Sequence, residues 1–148
     1  MLPPFESNGL LPPGIHSADT WQEFVSLFGS TPKRQWLLNG MKSALVALRS
    51  AKCRFVYVDG SFVTTKKEPG DFDICWDFTG VDWQLLDPIL LKLDDGRQSQ
   101  KAKFRGELFP AGSTEAASGK TFLEFFQVDK ATGEQKGIVV LDLERIWS

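Results

Sequence analysis

The run "CRFVYVDGSFVTTKKEPGDFDICWDF", residues 53–78, constrains the fold more than any other stretch of the chain. Phe55, Val56, Tyr57 and Val58 are aromatic or β-branched and stop at Asp59-Gly60, a turn-prone pair, so the pattern predicts a strand ending there. "DFDICWDF" predicts a second strand, with Phe72, Ile74 and Trp76 on one face and Asp71, Asp73, Cys75 and Asp77 on the other. The polar "TTKKEPG" between them carries Pro69 and Gly70 and reads as a loop.

The flanks supply helices. In "SADTWQEFVSLFG", Trp21, Phe24, Val25 and Phe28 stand at helical spacing behind an N-cap at Ser17 or Asp19, and Gly29 ends the run. Ser30-Thr31-Pro32 is a second start signal, and the stripe Trp36, Leu37, Met41, Leu45, Leu48 predicts a longer helix over 32–50. Residues 1–17 hold four of the eight prolines and read as an extended arm, followed by a single domain over 18–148. "VDWQLLDPILLKLDD" reads as helical with a break at Pro88, where Asp87 caps a short helix. "KAKFRGELFPA" reads as a third strand, Phe104, Gly106 and Leu108 facing one way and Lys103, Arg105 and Glu107 the other. "PAGSTEAASGK" is a small-residue loop, "TFLEFFQVDK" favours a helix through Phe122, Phe125 and Phe126, "ATGEQKG" turns, and "IVVLDL" is a last strand.

Composition narrows the class. A chain of 148 residues with 42% hydrophobic and 24% charged residues matches one globular domain rather than a disordered or fibrous chain. A net charge of -2 neither requires nor excludes nucleic acid, so local charge has to decide. Cys53 and Cys75 lie in apolar, β-prone stretches, where a buried thiol is the commoner role than a disulfide or a zinc ligand. His16, the sole histidine, has no companions for a zinc site or a catalytic triad. The N-terminus has neither a basic nor an apolar leader region, and no run of apolar residues is long enough to span a bilayer. The expected setting is therefore the cytoplasm, with no membrane partner.

Asp71 and Asp73, two apart on a strand, project from one face at about 7 Å backbone separation. Magnesium takes oxygen ligands and keeps waters or substrate phosphates in its shell, so two or three such carboxylates suffice to hold it. A glycine at a strand end lets backbone approach a phosphate, and a serine adds a hydroxyl donor, which makes Gly60-Ser61 a candidate phosphate cradle, with Ser61 opening a short helix through "SFVTT".

Gly60-Ser61, the nine residues 62–70, then Asp71-Phe72-Asp73-Ile74 resembles the signature of minimal nucleotidyltransferases in the DNA polymerase beta superfamily. The match covers residues 53–77 best, with the order of elements agreeing more loosely to about residue 109. The wider run "LPPGIHSA…W" ahead of "DGSFVT" is similar to uncharacterised bacterial and phage proteins with this domain. The resemblance implies two magnesium ions on Asp71 and Asp73, and triphosphate phosphates at Gly60-Ser61; Lys66, Lys67, Lys103 and Arg105 are near enough in sequence to help with the phosphates. It also implies a third carboxylate on a later strand. Glu107 is the candidate, with one methylene more than the family's usual aspartate, and Asp142 is held in reserve.

The expectation is an α+β domain, a small mixed sheet packed against helices, that transfers a nucleoside monophosphate from a triphosphate to a hydroxyl of an RNA end, a protein side chain or a small molecule. Two rivals stand beside it. One is an inactive nucleotidyltransferase-like binding module, such as a toxin–antitoxin component, acting with a partner protein or a second copy. The other is a metal-dependent nuclease, which needs clustered carboxylates but not Gly60-Ser61. The basic run Arg97, Lys101, Lys103, Arg105 reads as a solvated face or as a guide for a nucleic-acid acceptor.

Overall fold

The computed structural model describes residues 1–93, 95–113, 115, 118–129 and 132–147. Five strands, β1 (Gly14–Ser17), β2 (Phe55–Asp59), β3 (Phe72–Trp76), β4 (Gly106–Pro110) and β5 (Gly137–Asp142), form one mixed sheet in the order β1-β5-β2-β3-β4. The outer pairs β1–β5 and β3–β4 are parallel, and the inner pairs β5–β2 and β2–β3 antiparallel. Four α-helices, α1 (Trp21–Phe28), α2 (Pro32–Ser50), α3 (Gln98–Phe104) and α4 (Phe122–Phe125), accompany it, so the α+β expectation holds. Among the described residues, no helix is long and apolar enough to cross a membrane.

Local chemistry explains most boundaries. Thr20 caps α1 by accepting from the Glu23 N–H, and Thr31 caps α2 by accepting from the Arg34 N–H, with Pro32 in the first turn. The α1 cap is thus neither Ser17 nor Asp19, because Ser17 is the last residue of β1, and the arm expected over 1–17 ends as a sheet strand. On α2, Leu37, Met41, Leu45 and Leu48 are fully buried, whereas Trp36 is 47% exposed. One face of the sheet packs on α1 and α2 through Val56, Val58, Ile74, Trp76, Leu108, Val139 and Leu141. The other carries Cys75 and Phe109 under the α4 region, with Phe109 and Phe122 stacked at 4.5 Å.

Two expected elements differ. The helix expected over 81–95 is reduced to a 3₁₀ turn, Pro88–Leu91, capped by Asp87 at 3.0 Å from the Ile89 N–H. Upstream, the carboxylates of Asp77 and Asp82 accept from the N–H groups of Thr79 and Gln84, a local alternative to helical bonding. The strand expected over "KAKFRGELFPA" begins only at Gly106, since residues up to Phe104 form α3 and Arg105 turns the chain at φ 71°. Of the expected loop over 110–120, Thr114, Ala116 and Ala117 lie outside the described residues, as do Asp94, Lys130 and Ala131 of neighbouring expected segments.

Cys53 and Cys75 are buried free thiols, Cys53 pushed up to about 12 chiefly by burial. His16 Nε2 lies 2.6 Å from the Pro12 carbonyl oxygen, a structural contact.

Candidate functional site

Three acids stand side by side across adjacent strands. Asp59 ends β2, Asp73 faces it across the antiparallel β2–β3 pair, and Glu107 faces Asp73 across the parallel β3–β4 pair. Residues directly paired across strands share a face, so all three lie on the side away from α1 and α2. Asp71, two residues before Asp73, belongs to the same side. Asp59 is fully buried, and Asp71, Asp73 and Glu107 are partly so. Burial and the Asp59 carboxylate push the neighbouring Cys75 thiol well above its ordinary value, Cys75 Sγ lying 3.8 Å from Asp59 Oδ2.

The Gly-Ser element meets the Asp-x-Asp element at Gly60. Its φ of 78° is left-handed, and a Cβ built on it would lie 2.3 Å from Asp73 Oδ2. Only glycine satisfies both conditions without displacing that carboxylate. From here the chain enters a 3₁₀ turn, Gly60–Val63, which is the short helix expected at Ser61. Arg34 holds the turn and the following loop from below. It is 2% exposed, and its guanidinium donates to the carbonyls of Phe62 at 2.7 Å, Thr64 at 2.7 Å, Lys66 at 2.6 Å and Phe28 at 3.1 Å.

On the β4 side the acids meet cations. Lys101 Nζ lies 2.9 Å from Glu107 Oε1 and 3.9 Å from Asp71 Oδ2, and Arg97 Nε lies 3.3 Å from Glu107 Oε2. The Asp71 carboxyl is raised above the usual carboxylate range, first by burial and then by the charge of Glu107, against the opposing pull of Lys101, Arg97 and Lys33. The Lys101 ammonium is raised by its hydrogen bond to Glu107. Arg105 donates to the Trp36 carbonyl at 2.6 Å, beside a cleft of about 350 Å³ lined by Lys33, Trp36, Gly70, Asp71, Lys101 and Arg105.

The structure therefore brings together Gly60, Asp71, Asp73 and Glu107, with Ser61 next to Gly60 and Arg105 at the cleft edge. Lys66 is exposed and contributes its carbonyl to Arg34, while Lys103 pairs with Asp87 on another side of α3. Asp142 faces Phe55 at the start of β2, about 13 Å along the strand from Asp59. There it is bound by Arg54 at 3.2 Å, so the reserve carboxylate stands apart from the others. Sequence reasoning missed Asp59, Arg34 and Trp36. Asp59 had a signal, being adjacent to Gly60 and one strand away from Asp73; Arg34 had none beyond its place in the first turn of α2.

Asp71 and Asp73 suit a magnesium ion in donor chemistry, as a partly desolvated carboxyl with an acidic neighbour gains from a hard cation. Glu107 is paired with Asp73 across β3–β4, and among the described residues no group of three or more His, Cys, Asp or Glu side chains is already arranged to hold a metal ion. The Glu107 carboxylate is engaged by Arg97 and Lys101.

No curated protein and no solved structure significantly matches the chain. A family model does match, over residues 3–142, and the chain belongs to that family, DUF6932, a family of unknown function.

Proposed function

We propose that the protein is a magnesium-dependent nucleotidyltransferase. The observation that carries this reading is the junction at Gly60, where a left-handed glycine brings the end of β2 against the Asp73 carboxylate. Phosphate-approaching backbone and cation-binding acid then face one ligand, which a triphosphate with magnesium satisfies. Asp71 and Asp73 would hold the metal, which would supply charge neutralisation to the triphosphate when bound. Gly60 and Ser61 receive the phosphates, and Arg34 fixes their loop. The acceptor oxygen bonds to the α-phosphorus as the bond from that phosphorus to the bridging α–β oxygen breaks. Pyrophosphate leaves, and the hydroxyl's proton passes to a carboxylate or to water.

Incubation with magnesium and each α-labelled nucleoside triphosphate in cell extract tests this. Wild-type protein labels a macromolecule, and Asp73→Ala loses at least about a hundredfold of the labelling while melting as wild type does. Unchanged labelling in Asp73→Ala sinks the assignment.

One observation favours a second reading. Glu107 is held by two cations, Arg97 and Lys101, which suits a module that binds a nucleotide or a partner protein without transfer. Triphosphate binding with no labelling, together with stable copurification of another protein, favours that module. Nucleic-acid cleavage without triphosphate instead points to a nuclease.

A further inference from the structure

Trp36 is the feature that neither the core nor the carboxylate row explains. It lies one residue off the buried stripe of α2, and its indole is 47% exposed with the Arg105 guanidinium 4.3 Å and the Lys33 ammonium 4.8 Å from the ring centroid. The arrangement is built into the backbone. Arg105 adopts a left-handed φ of 71°, which costs a non-glycine residue free energy, and donates to the Trp36 carbonyl. Gly40 lets α2 approach that turn closely, since a Cβ there would lie 2.2 Å from the Phe104 carbonyl oxygen.

The resulting cleft of about 350 Å³ gathers Lys33 and Arg105 at the indole and is also lined by Lys101, which is paired with Glu107. The carboxylate lining the cleft is Asp71. Cations spaced around an exposed aromatic ring are what a single strand of nucleic acid requires: phosphates take the cations and a base takes the ring. A peptide acceptor offers the cations acids but gives the indole no ring to stack by necessity. Strand order places the cleft on the β4 side of Asp71, while Gly60 and Ser61 end β2 on the other side of β3. A triphosphate at Gly60-Ser61 leaves the cleft to the acceptor.

We propose that this cleft binds the end of a single-stranded nucleic acid, its terminal hydroxyl presented beside Asp71. The acceptor role rests on the transferase reading; the binding does not. Lys33 leaves the indole for a phosphate when a base stacks, and Arg105 stays, fixed by its hydrogen bond.

The test is fluorescence anisotropy of short labelled single-stranded RNA and DNA oligonucleotides, without magnesium or triphosphate. Binding is expected to weaken with salt, to fall about tenfold or more in Trp36→Ala and to be largely kept in Trp36→Phe. Lys33→Gln is expected to lower the salt slope by about one. Asp142→Asn, a change apart from the cleft at a residue paired with Arg54, binds as wild type does. If Trp36→Ala melts early, Trp36→Phe and Lys33→Gln carry the decision. Either sugar supports the cleft, and the tighter one names it. No binding of either oligonucleotide, or binding that Trp36→Ala or Lys33→Gln leaves unchanged, overturns it. Trp36-dependent binding in a protein that labels nothing keeps the cleft and removes the transferase. Labelling of protein alone, with no such binding, does the reverse.

Discussion

Asp71 and Asp142 are both aspartates at a strand end of the same sheet, and the molecule treats their ionisation in opposite ways. Burial alone would raise the Asp142 carboxyl, but the Arg54 hydrogen bond, the Glu144 N–H and the charges of Arg54 and Arg145 outweigh it and bring the group below the usual carboxylate range. Burial raises Asp71 too, and there the charge of Glu107 adds to it, so the group stays above that range despite Lys101, Arg97 and Lys33. One corner is a finished ion pair with Arg54. The other crowds acids on one face of three adjacent strands, an arrangement that costs stability in the absence of a cation. Two aspartates in similar strand context thus separate into a surface pairing and a candidate site by what their neighbours supply.

The contrast predicts where substitutions act, beginning with the scaffold that the Asp142 corner lacks. Arg34→Met should destabilise the protein by at least about 3 kcal/mol, because several buried carbonyls lose a charged donor at once. Chemical denaturation measures it, and a loss no larger than that of an exposed residue would remove the clamp from the account.

Gly60→Ala compared with Gly80→Ala sharpens the same point. Both glycines have positive φ, 78° and 77°, so both variants bear a backbone cost of about 1 kcal/mol. At Gly80 nothing stands within 4 Å of the added Cβ, whereas at Gly60 it meets the Asp73 carboxylate. Gly60→Ala should therefore lose clearly more, about 2 kcal/mol beyond Gly80→Ala, and lose magnesium-dependent activity with it. Equal melting temperatures for the two would contradict the junction.

The smallest effects have opposite signs. In metal-free buffer, folded Asp71 keeps its proton to higher pH than the unfolded chain does, so its contribution falls as pH rises through the folded value, and ionised Asp71 costs stability at neutral pH. Asp71→Asn should then raise the neutral melting temperature and match wild type in strong acid. Asp142, with its folded value depressed, contributes stability above the ordinary carboxylate range and loses it as pH falls through the folded value. Asp142→Asn should cost ~0.5 kcal/mol at neutral pH, a surface-pair value, and nothing in strong acid. Melting curves across pH measure both, and shifts of the same sign would break the comparison.

Where the chain's local chemistry decides structure, the sequence was readable. The start of α2 at Thr31-Pro32, the cap at Asp87, strands β2, β3 and β5 and the 3₁₀ turn at Ser61 all follow from residues within a few positions of one another. Strand β1 was hidden because it exists only by pairing with β5, more than a hundred residues on, and prolines around it signal a loop. The segment before Gly106 misled because Phe104, Gly106 and Leu108 alternate like a strand although Arg105 reverses the backbone between helix and strand. In the site, Asp71 and Asp73 were legible from strand periodicity. That Glu107 lies beside Asp73 was expected from its place on a later strand, and the register shows it, whereas its engagement by Arg97 and Lys101 depends on α3, which the spacing of residues does not carry. Trp36 was read as core because its helix position differs from the buried stripe by a single residue.

The most direct test of the central claim, that Gly60 and Asp73 form a triphosphate site, is calorimetric titration of nucleoside triphosphates into the protein with and without magnesium, repeated on Asp73→Ala. The account predicts binding that requires magnesium and disappears in Asp73→Ala, with the fold unchanged. Absence of binding to the wild-type protein, or binding indifferent to both magnesium and Asp73, would contradict it.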